Sequence, residues 1–327
     1  MADITTTWMG LKLKSPVIIA SSGLTNSLKN IKEYEKQGAG AVVLKSLFEE
    51  QILNEAHHTI AQDETANQYP EALDYILNYS RTNALNDYLK LISDCKKETG
   101  LPIIASINCS SASEWTAFAA DIEKAGADAL ELNVFIPPFN PRKGQQLEKI
   151  YFEILQDVSL KIKIPVALKI GSYFTSLTET AEQMVWAGAK GLVLFNKFYS
   201  PDIDINNLKI VPANVFSSSD DILMPLRWVA MLSGRIKCDI AGTTGVHTGE
   251  DLIKMLLAGA KAAEIASVVY KNGSEVIGKM LGELNAWMEK NNFATLDKVI
   301  GKLNYQNTAN PSSYERVQFM KHFGGIE

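Results

Sequence analysis

Four stretches of this chain repeat one pattern: Gln37-Gly38-Ala39-Gly40-Ala41-Val42-Val43-Leu44, Ala125-Gly126-Ala127-Asp128-Ala129-Leu130-Glu131-Leu132, Ala187-Gly188-Ala189-Lys190-Gly191-Leu192-Val193-Leu194 and Ala258-Gly259-Ala260-Lys261-Ala262-Ala263-Glu264-Ile265. In each, a glycine follows a helical pattern and precedes a short apolar run. Glycine adopts the left-handed conformation that ends a helix without a Cβ clash, so each stretch reads as a helix stop followed by a buried strand. A second set lies between them. Pro16, Pro102 and Pro165 introduce Val17-Ile18-Ile19-Ala20, Ile103-Ile104-Ala105-Ser106 and Val166-Ala167-Leu168-Lys169, and a fourth member, Cys238-Asp239-Ile240-Ala241, has no proline. Proline suits the first position of a strand, where the ladder needs no N–H donor. The two sets interleave into eight strands.

Helical patterns at 28–37, 85–99, 112–124, 145–160, 177–187, 225–233, 249–257 and 275–291 fill the gaps. Strict alternation of buried strands with helices predicts a parallel sheet. Eight such units predict an α/β fold of (β/α)8 TIM-barrel type over residues 1–303 rather than an open doubly wound sheet. The Gly-x-Gly-x-x-Gly turn of the open dinucleotide-binding sheet is absent after the first strand. Two long connections, 46–82 and 199–224, follow the second and sixth strands at the C-terminal face, where barrel active sites are built. Residues 304–327 form a polar extension with a turn at Asn310-Pro311-Ser312-Ser313.

Composition narrows the function. A chain of 327 residues, 46% hydrophobic and 21% charged, can bury one large core. Its apolar runs, such as 17–20 and 192–195, fall far short of the roughly 20 residues of a membrane span. Met1-Ala2-Asp3-Ile4-Thr5 has neither the basic start nor the apolar run of a signal peptide, so a cytoplasmic protein is expected, with no membrane association. Three cysteines, Cys95, Cys109 and Cys238, are too few and too scattered for a disulfide framework, a zinc site or a protein-borne iron–sulfur cluster. A net charge of −5 and a pI near 5.6 argue against nucleic acid and for a small-molecule substrate.

If the barrel is correct, the strand ends carry Ser21, Ser22, Lys45, Ser46, Ser106, Asn108, Asn133, Lys169, Asn196, Lys197, Gly242 and Ser267, an unusually polar set to follow buried runs. Lys45 and Lys169 are the most informative, since an ammonium held at the mouth stabilises negative charge on a reacting group or cofactor. Either alone also suits a lysine snorkelling from a rim. After the seventh strand the chain reads Ala241-Gly242-Thr243-Thr244-Gly245-Val246, and after the eighth Ile265-Ala266-Ser267-Val268. These loops have the position of the phosphate site common in barrels, for a phosphorylated cofactor or substrate alike, although tight turns without a ligand read the same way.

Ser21-Ser22-Gly23, Leu44-Lys45-Ser46, Glu131-Leu132-Asn133, the lysine of Ala167-Leu168-Lys169, Asn196, Gly242-Thr243-Thr244-Gly245 and Gly301-Lys302-Leu303 occur in an order and spacing that resembles the class 1 dihydroorotate dehydrogenases over about residues 5–304. The resemblance implies FMN as cofactor, held by Ser21, Ser22, Lys45, Ser46, Ser106, Asn108, Asn133, Lys169, Asn196, Gly242, Thr243, Thr244, Gly245, Ala266 and Ser267. It implies Lys169 beside the N1 and O2 end of the flavin, and Lys45 and Asn133 near the reacting atoms. It also implies hydride transfer from dihydroorotate to FMN, giving orotate for pyrimidine biosynthesis, in a homodimer. Electrons would pass to fumarate or to a separate NAD-linked subunit.

The substrate half departs from that pattern. The loop after the fourth strand, where the family carries a cysteine or serine base, reads Asn133-Val134-Phe135-Ile136-Pro137-Pro138. Ile136 has no titratable proton and cannot act as a general base, and Pro138 stands where an asparagine amide is expected. The family's second asparagine-containing segment is replaced by Leu77-Asn78-Tyr79-Ser80-Arg81-Thr82, and its glycine-rich flavin contact by Ser217-Ser218-Ser219-Asp220-Asp221. Cys109 is the alternative base, though a buried, inert thiol is the plainer reading. His57 and His58 suit a lid or a solvated loop, and His247 a phosphate contact or solvent. Two further functions fit these departures: a flavoprotein acting on another small molecule, and a barrel that binds FMN or another phosphorylated ligand without turnover.

Overall fold

A computed structural model describes residues 2–48, 70–108, 112–134, 136, 144–197 and 200–315. Eight parallel strands close a barrel: β3 (Val17–Ile19), β4 (Ala41–Val43), β6 (Ile103–Asn108), β7 (Ala129–Asn133), β8 (Val166–Ile170), β9 (Gly191–Leu194), β12 (Asp239–Thr243) and β13 (Ala262–Ile265). Closure is made by β13 pairing with β3 and by β4 pairing with β6, with Ile18 opposite Glu264 and Val42 opposite Ile103. β5 (Leu47–Phe48) extends the sheet along the upper part of β6. The predicted stops adopt the left-handed backbone: φ is +96° at Gly38, +98° at Gly126, +122° at Gly188 and +116° at Gly259.

Helices α1 (Leu28–Lys36), α2 (Pro70–Glu98), α3 (Ala112–Ala125), α4 (Gly144–Ser159), α5 (Leu177–Trp186), α6 (Leu223–Leu232), α7 (Gly249–Ala258), α8 (Ser267–Asn272) and α9 (Glu275–Lys290) surround the sheet. Most begin and end within a residue or two of the sequence pattern. The exception is α2. It starts at Pro70 rather than Leu85, so 77–82, expected as a loop segment, lie within a helix. Proline at a helix start costs no hydrogen bond, because the first N–H groups have no partner inside the helix.

The strands alternate strictly between two apolar environments. Outward side chains such as Val17, Ile19, Val42, Leu130, Leu168 and Leu192 pack under the helices. Inward ones, Ile18, Ala41, Val43, Ile104, Ala129, Ala167, Val193, Ala241 and Ala262, form a separate core inside the barrel. Most of these are small because Trp8, Met9 and Leu13 fill the lower end. They come from an antiparallel hairpin, β1 (Thr6–Trp8) and β2 (Leu11–Leu13), which the sequence pattern had not marked. Gly191 is required where it is: a Cβ there would lie 2.7 Å from the Trp8 ring. The plugged lower half leaves the upper half for polar chemistry.

The connection after β9 carries a second hairpin, β10 (Pro201–Asp204) and β11 (Lys209–Pro212), with Ile203, Ile205, Leu208 and Ile210 exposed. The start of the polar extension lies against α6: the Asn304 side chain donates to the Ser233 carbonyl at 3.2 Å, and the Tyr305 N–H donates to the Ala230 carbonyl at 2.9 Å. The turn expected at 310–313 is a 3-10 turn over Pro311–Tyr314.

Candidate active site

Above the apolar plug, the next inward positions are ionic. Glu131 from β7, Lys169 from β8 and Glu264 from β13 reach the barrel interior, each more than nine-tenths buried. Lys169 Nζ donates to Glu264 Oε2 at 2.7 Å and lies 3.8 Å from Glu131 Oε1. Burial works against the Lys169 ammonium, but the two carboxylates outweigh it and push its pKa up to about 12. Burial, and then repulsion from Glu264, holds Glu131 well above the usual carboxylate range. Such a cluster is expensive to desolvate and persists only because the opposite charges compensate each other.

Lys169 and Glu264 also form part of the wall of a cavity of about 190 Å³ at the C-terminal mouth, together with Ser21, Asn196, Ser217, Thr243 to Val246 and Ala266 to Ser267. Asn196 Nδ2 donates to Asn133 Oδ1 at 2.8 Å. The Thr243 hydroxyl donates to the Glu264 carbonyl at 3.0 Å, and the Thr244 hydroxyl to the Phe195 carbonyl at 3.0 Å. These side chains tie strand ends together around the mouth, while Thr244, Gly245 and Val246 line the cavity. Gly242 faces away from it: a Cβ there would meet Met255 Sδ at 2.6 Å, so this glycine admits α7 to the sheet. Gly245, at φ +87°, would press a Cβ to within 2.2 Å of the Ile222 nitrogen.

From Ser21 a chain of hydroxyls leads to two further strand ends, at the buried Ser46 and Ser106. Ser21 Oγ is 2.9 Å from Ser46 Oγ, which is 2.7 Å from Ser106 Oγ, and the Ser46 N–H donates to Ser21 Oγ at 2.9 Å. Tyr88 on α2 receives the Ser106 N–H at 2.7 Å and donates back to the Ser106 carbonyl at 3.0 Å. Ser22 is occupied locally, its Oγ accepting from the Leu24 N–H at 3.4 Å to cap a 3-10 turn. Lys45 and Asn108 are half-buried at the ends of β4 and β6. Cys109, Pro138, His57 and His58 lie outside the described residues.

Ile136 is half-buried and packs against the outer core, its N–H donating to the Tyr151 hydroxyl at 3.1 Å. The position of the expected base is thus filled by a hydrocarbon seated against protein. Two groupings escaped the sequence reading. One is the pair of glutamates around Lys169, signalled by a charge at an inward register in the apolar strands Ala129-Leu130-Glu131-Leu132 and Ala262-Ala263-Glu264-Ile265. The other surrounds Ser217, whose Oγ is 2.9 Å from His247 Nε2, whose carbonyl accepts from Lys271 Nζ at 2.7 Å, and whose N–H donates to Ser267 Oγ at 3.1 Å.

This arrangement offers a cation at the base of the mouth and a ring of backbone and hydroxyl groups beside it. The sequence profile of dihydroorotate dehydrogenases matches residues 3–288. The chain belongs to the dihydroorotate dehydrogenase family. It is 28% identical over 309 residues to the dihydroorotate dehydrogenase B (NAD(+)) catalytic subunit of Thermoplasma volcanium, covering 92% of this chain and 98% of the relative. The corresponding subunit of Methanocaldococcus jannaschii is 28% identical, covering 89% of this chain and 95% of its own. A putative dihydroorotate dehydrogenase A (fumarate) of Aeropyrum pernix is also 28% identical, with 89% and 94% covered. Family membership therefore extends over the whole barrel, including the divergent loops.

Proposed function

We propose that this dihydroorotate dehydrogenase family member is an FMN-dependent oxidoreductase acting on dihydroorotate in pyrimidine biosynthesis, through a substrate site that lacks the usual base. The observation that carries the cofactor reading is Lys169. Its ammonium is held by Glu264 at the wall of the mouth cavity, where it can oppose negative charge at the N1 and O2 end of a flavin. The residues fit the group. The backbone of Thr244 to Val246 and of Ala266 and Ser267 borders the same cavity on the side suited to a phosphate, and the Asn133–Asn196 pair presents amides beside Lys169.

Bound FMN would supply the two-electron acceptor. The chain's own residues would supply the rest: Lys169 to favour charge on the ring, Ser21, Ser46 and Ser106 as a hydrogen-bonding wall, and Lys45 and Asn133 toward the substrate. Ile136 contributes shape and excludes water but moves no proton. The missing proton acceptor costs about 10²- to 10⁴-fold in rate. The names of the Thermoplasma and Methanocaldococcus relatives favour a separate electron-accepting subunit, and that of the Aeropyrum relative favours fumarate. A homodimer is the expected assembly, in keeping with the exposed isoleucines of the β10–β11 hairpin. A cytoplasmic location is the expectation for this reading; among the described residues no helix is long and apolar enough to cross a membrane.

Anaerobic stopped-flow absorbance of the FMN-reconstituted protein mixed with dihydroorotate tests this reading. Slow but complete bleaching of the flavin band is expected. A flavin that dithionite reduces and dihydroorotate leaves untouched refutes the substrate. Failure to retain FMN refutes the cofactor as well.

A further inference from the structure

The three ionisable groups inside the barrel carry more than the anchoring of Lys169. Two carboxyls face one ammonium in a space closed below by Trp8 and Met9. Glu131 Oε1 and Glu264 Oε1 are both buried without a hydrogen-bond donor from the protein. Fully ionised, the cluster would hold a net negative charge with two undonated carboxylate oxygens, the arrangement that burial penalises most. One added proton removes both problems, because it neutralises the cluster and provides a donor. Paired carboxyls elsewhere resolve like-charge proximity by keeping one proton between them.

We propose that Glu131 and Glu264 share one proton at neutral pH as positioning residues for Lys169, and that a second proton enters the pair when negative charge is placed over that lysine. The second half rests on the FMN reading above. The proton comes from solvent and forms one O–H bond on the remaining carboxylate. Reduction of a bound flavin by two electrons would then take up one proton more than the flavin itself requires. Glu264 borders the mouth cavity, which gives the proton a route. Among the described residues, Tyr88 from α2 also interacts with Glu131, and burial keeps its phenol protonated.

Infrared spectroscopy of the ligand-free protein tests the first half without any cofactor. Wild type at pH 7 is expected to show a carboxylic-acid C=O band that shifts in D₂O. Glu131→Gln and Glu264→Gln are each expected to abolish it, since a single remaining carboxyl pairs with Lys169 as an anion. A wild-type spectrum without the band overturns the proposal even if neither variant folds. A band that survives in either variant overturns the sharing. For the second half, the flavin midpoint potential is followed from pH 7 to 9, each coupled proton adding about 30 mV per pH unit to a two-electron slope. A two-proton slope is expected in wild type and a one-proton slope in the E131Q/E264Q double variant. A one-proton slope in wild type, or equal slopes in both proteins, overturns the coupling. A protein that shows the band but binds no FMN keeps the carboxyl pair, while the coupling falls together with the flavin reading.

Discussion

The two halves of the mouth are built on different physical terms. On one side, β8, β12 and β13 present Lys169, Thr243 and Glu264 from rigid strand ends: Lys169 is fixed by Glu264 across the barrel, and Thr243 by the carbonyl of Glu264 on the neighbouring strand. On the other, the end of β7 runs into Ile136, seated by apolar packing and one hydrogen bond from its backbone. The first half is an electrostatic device, and the second rests on a hydrocarbon packed against the outer core. A family scaffold can keep the former and exchange the latter because the strands fix the charged groups independently of the loops that follow them.

Removing the charge from the first half is the harshest way to test this contrast. Lys169→Met leaves two buried carboxyls without their cation, and breaking a buried ion pair costs about 3–5 kcal/mol. At about 2 cal/mol/K of unfolding entropy per residue, each kcal/mol lowers the midpoint of a domain of roughly 300 residues by about 1.5 °C, so a fall of about 5–8 °C is expected, together with loss of FMN retention. Calorimetry of wild type and variant measures it. A variant as stable as wild type would show that the cluster is not an ionic core and would erase the distinction between the halves.

A gain of function is expected from the second half. Ile136→Cys returns a titratable group to the loop after β7 and should speed the bleaching of bound flavin by dihydroorotate about 10²-fold, without altering flavin retention. Stopped-flow comparison of the two proteins checks it. An unchanged rate would mean that the loop's path, rather than the missing base, separates this chain from its relatives.

The contrast also explains what the sequence made legible. Glycine stops and proline-led apolar runs are local signals, written by backbone sterics, and they survive without knowledge of the partner strands. The strand-end residues Lys169, Asn133 and Asn196 follow from those runs by position alone. The pairing of Glu131 and Glu264 with Lys169 does not, because it depends on residues from β7, β8 and β13 meeting across the barrel at sequence separations of up to 133 residues. The β1–β2 plug was invisible for another reason. Two three-residue strands carry too little periodicity to register, and Trp8 and Leu13 acquire meaning only against Gly191 and the small residues that receive them. The early start of α2 at Pro70 carries no apolar periodicity that separates it from the long connection preceding it.

The smallest effect belongs to the border of the cation-rich half, at His247. Its Nε2 is 2.9 Å from Ser217 Oγ, and its backbone N–H donates to Asp251 Oδ2 at 3.1 Å. Burial first, and then the nearby Lys271 ammonium, lower its pKa from the usual histidine value, against the opposing pull of Asp251 and Asp221. The native state therefore binds this proton less readily than the unfolded chain, whose histidine titrates near pH ~6.5. The stabilisation is complete above that pH and is lost as pH falls through the lower native value. His247→Gln can keep a hydrogen bond to Ser217 and cannot titrate, so wild type should lose slightly more thermal stability than the variant between pH 7.5 and 5. Partial exposure to solvent keeps the difference small. Parallel curves would mean that Lys271 acts on the Ser217 carbonyl alone and leaves the His247 ring untouched.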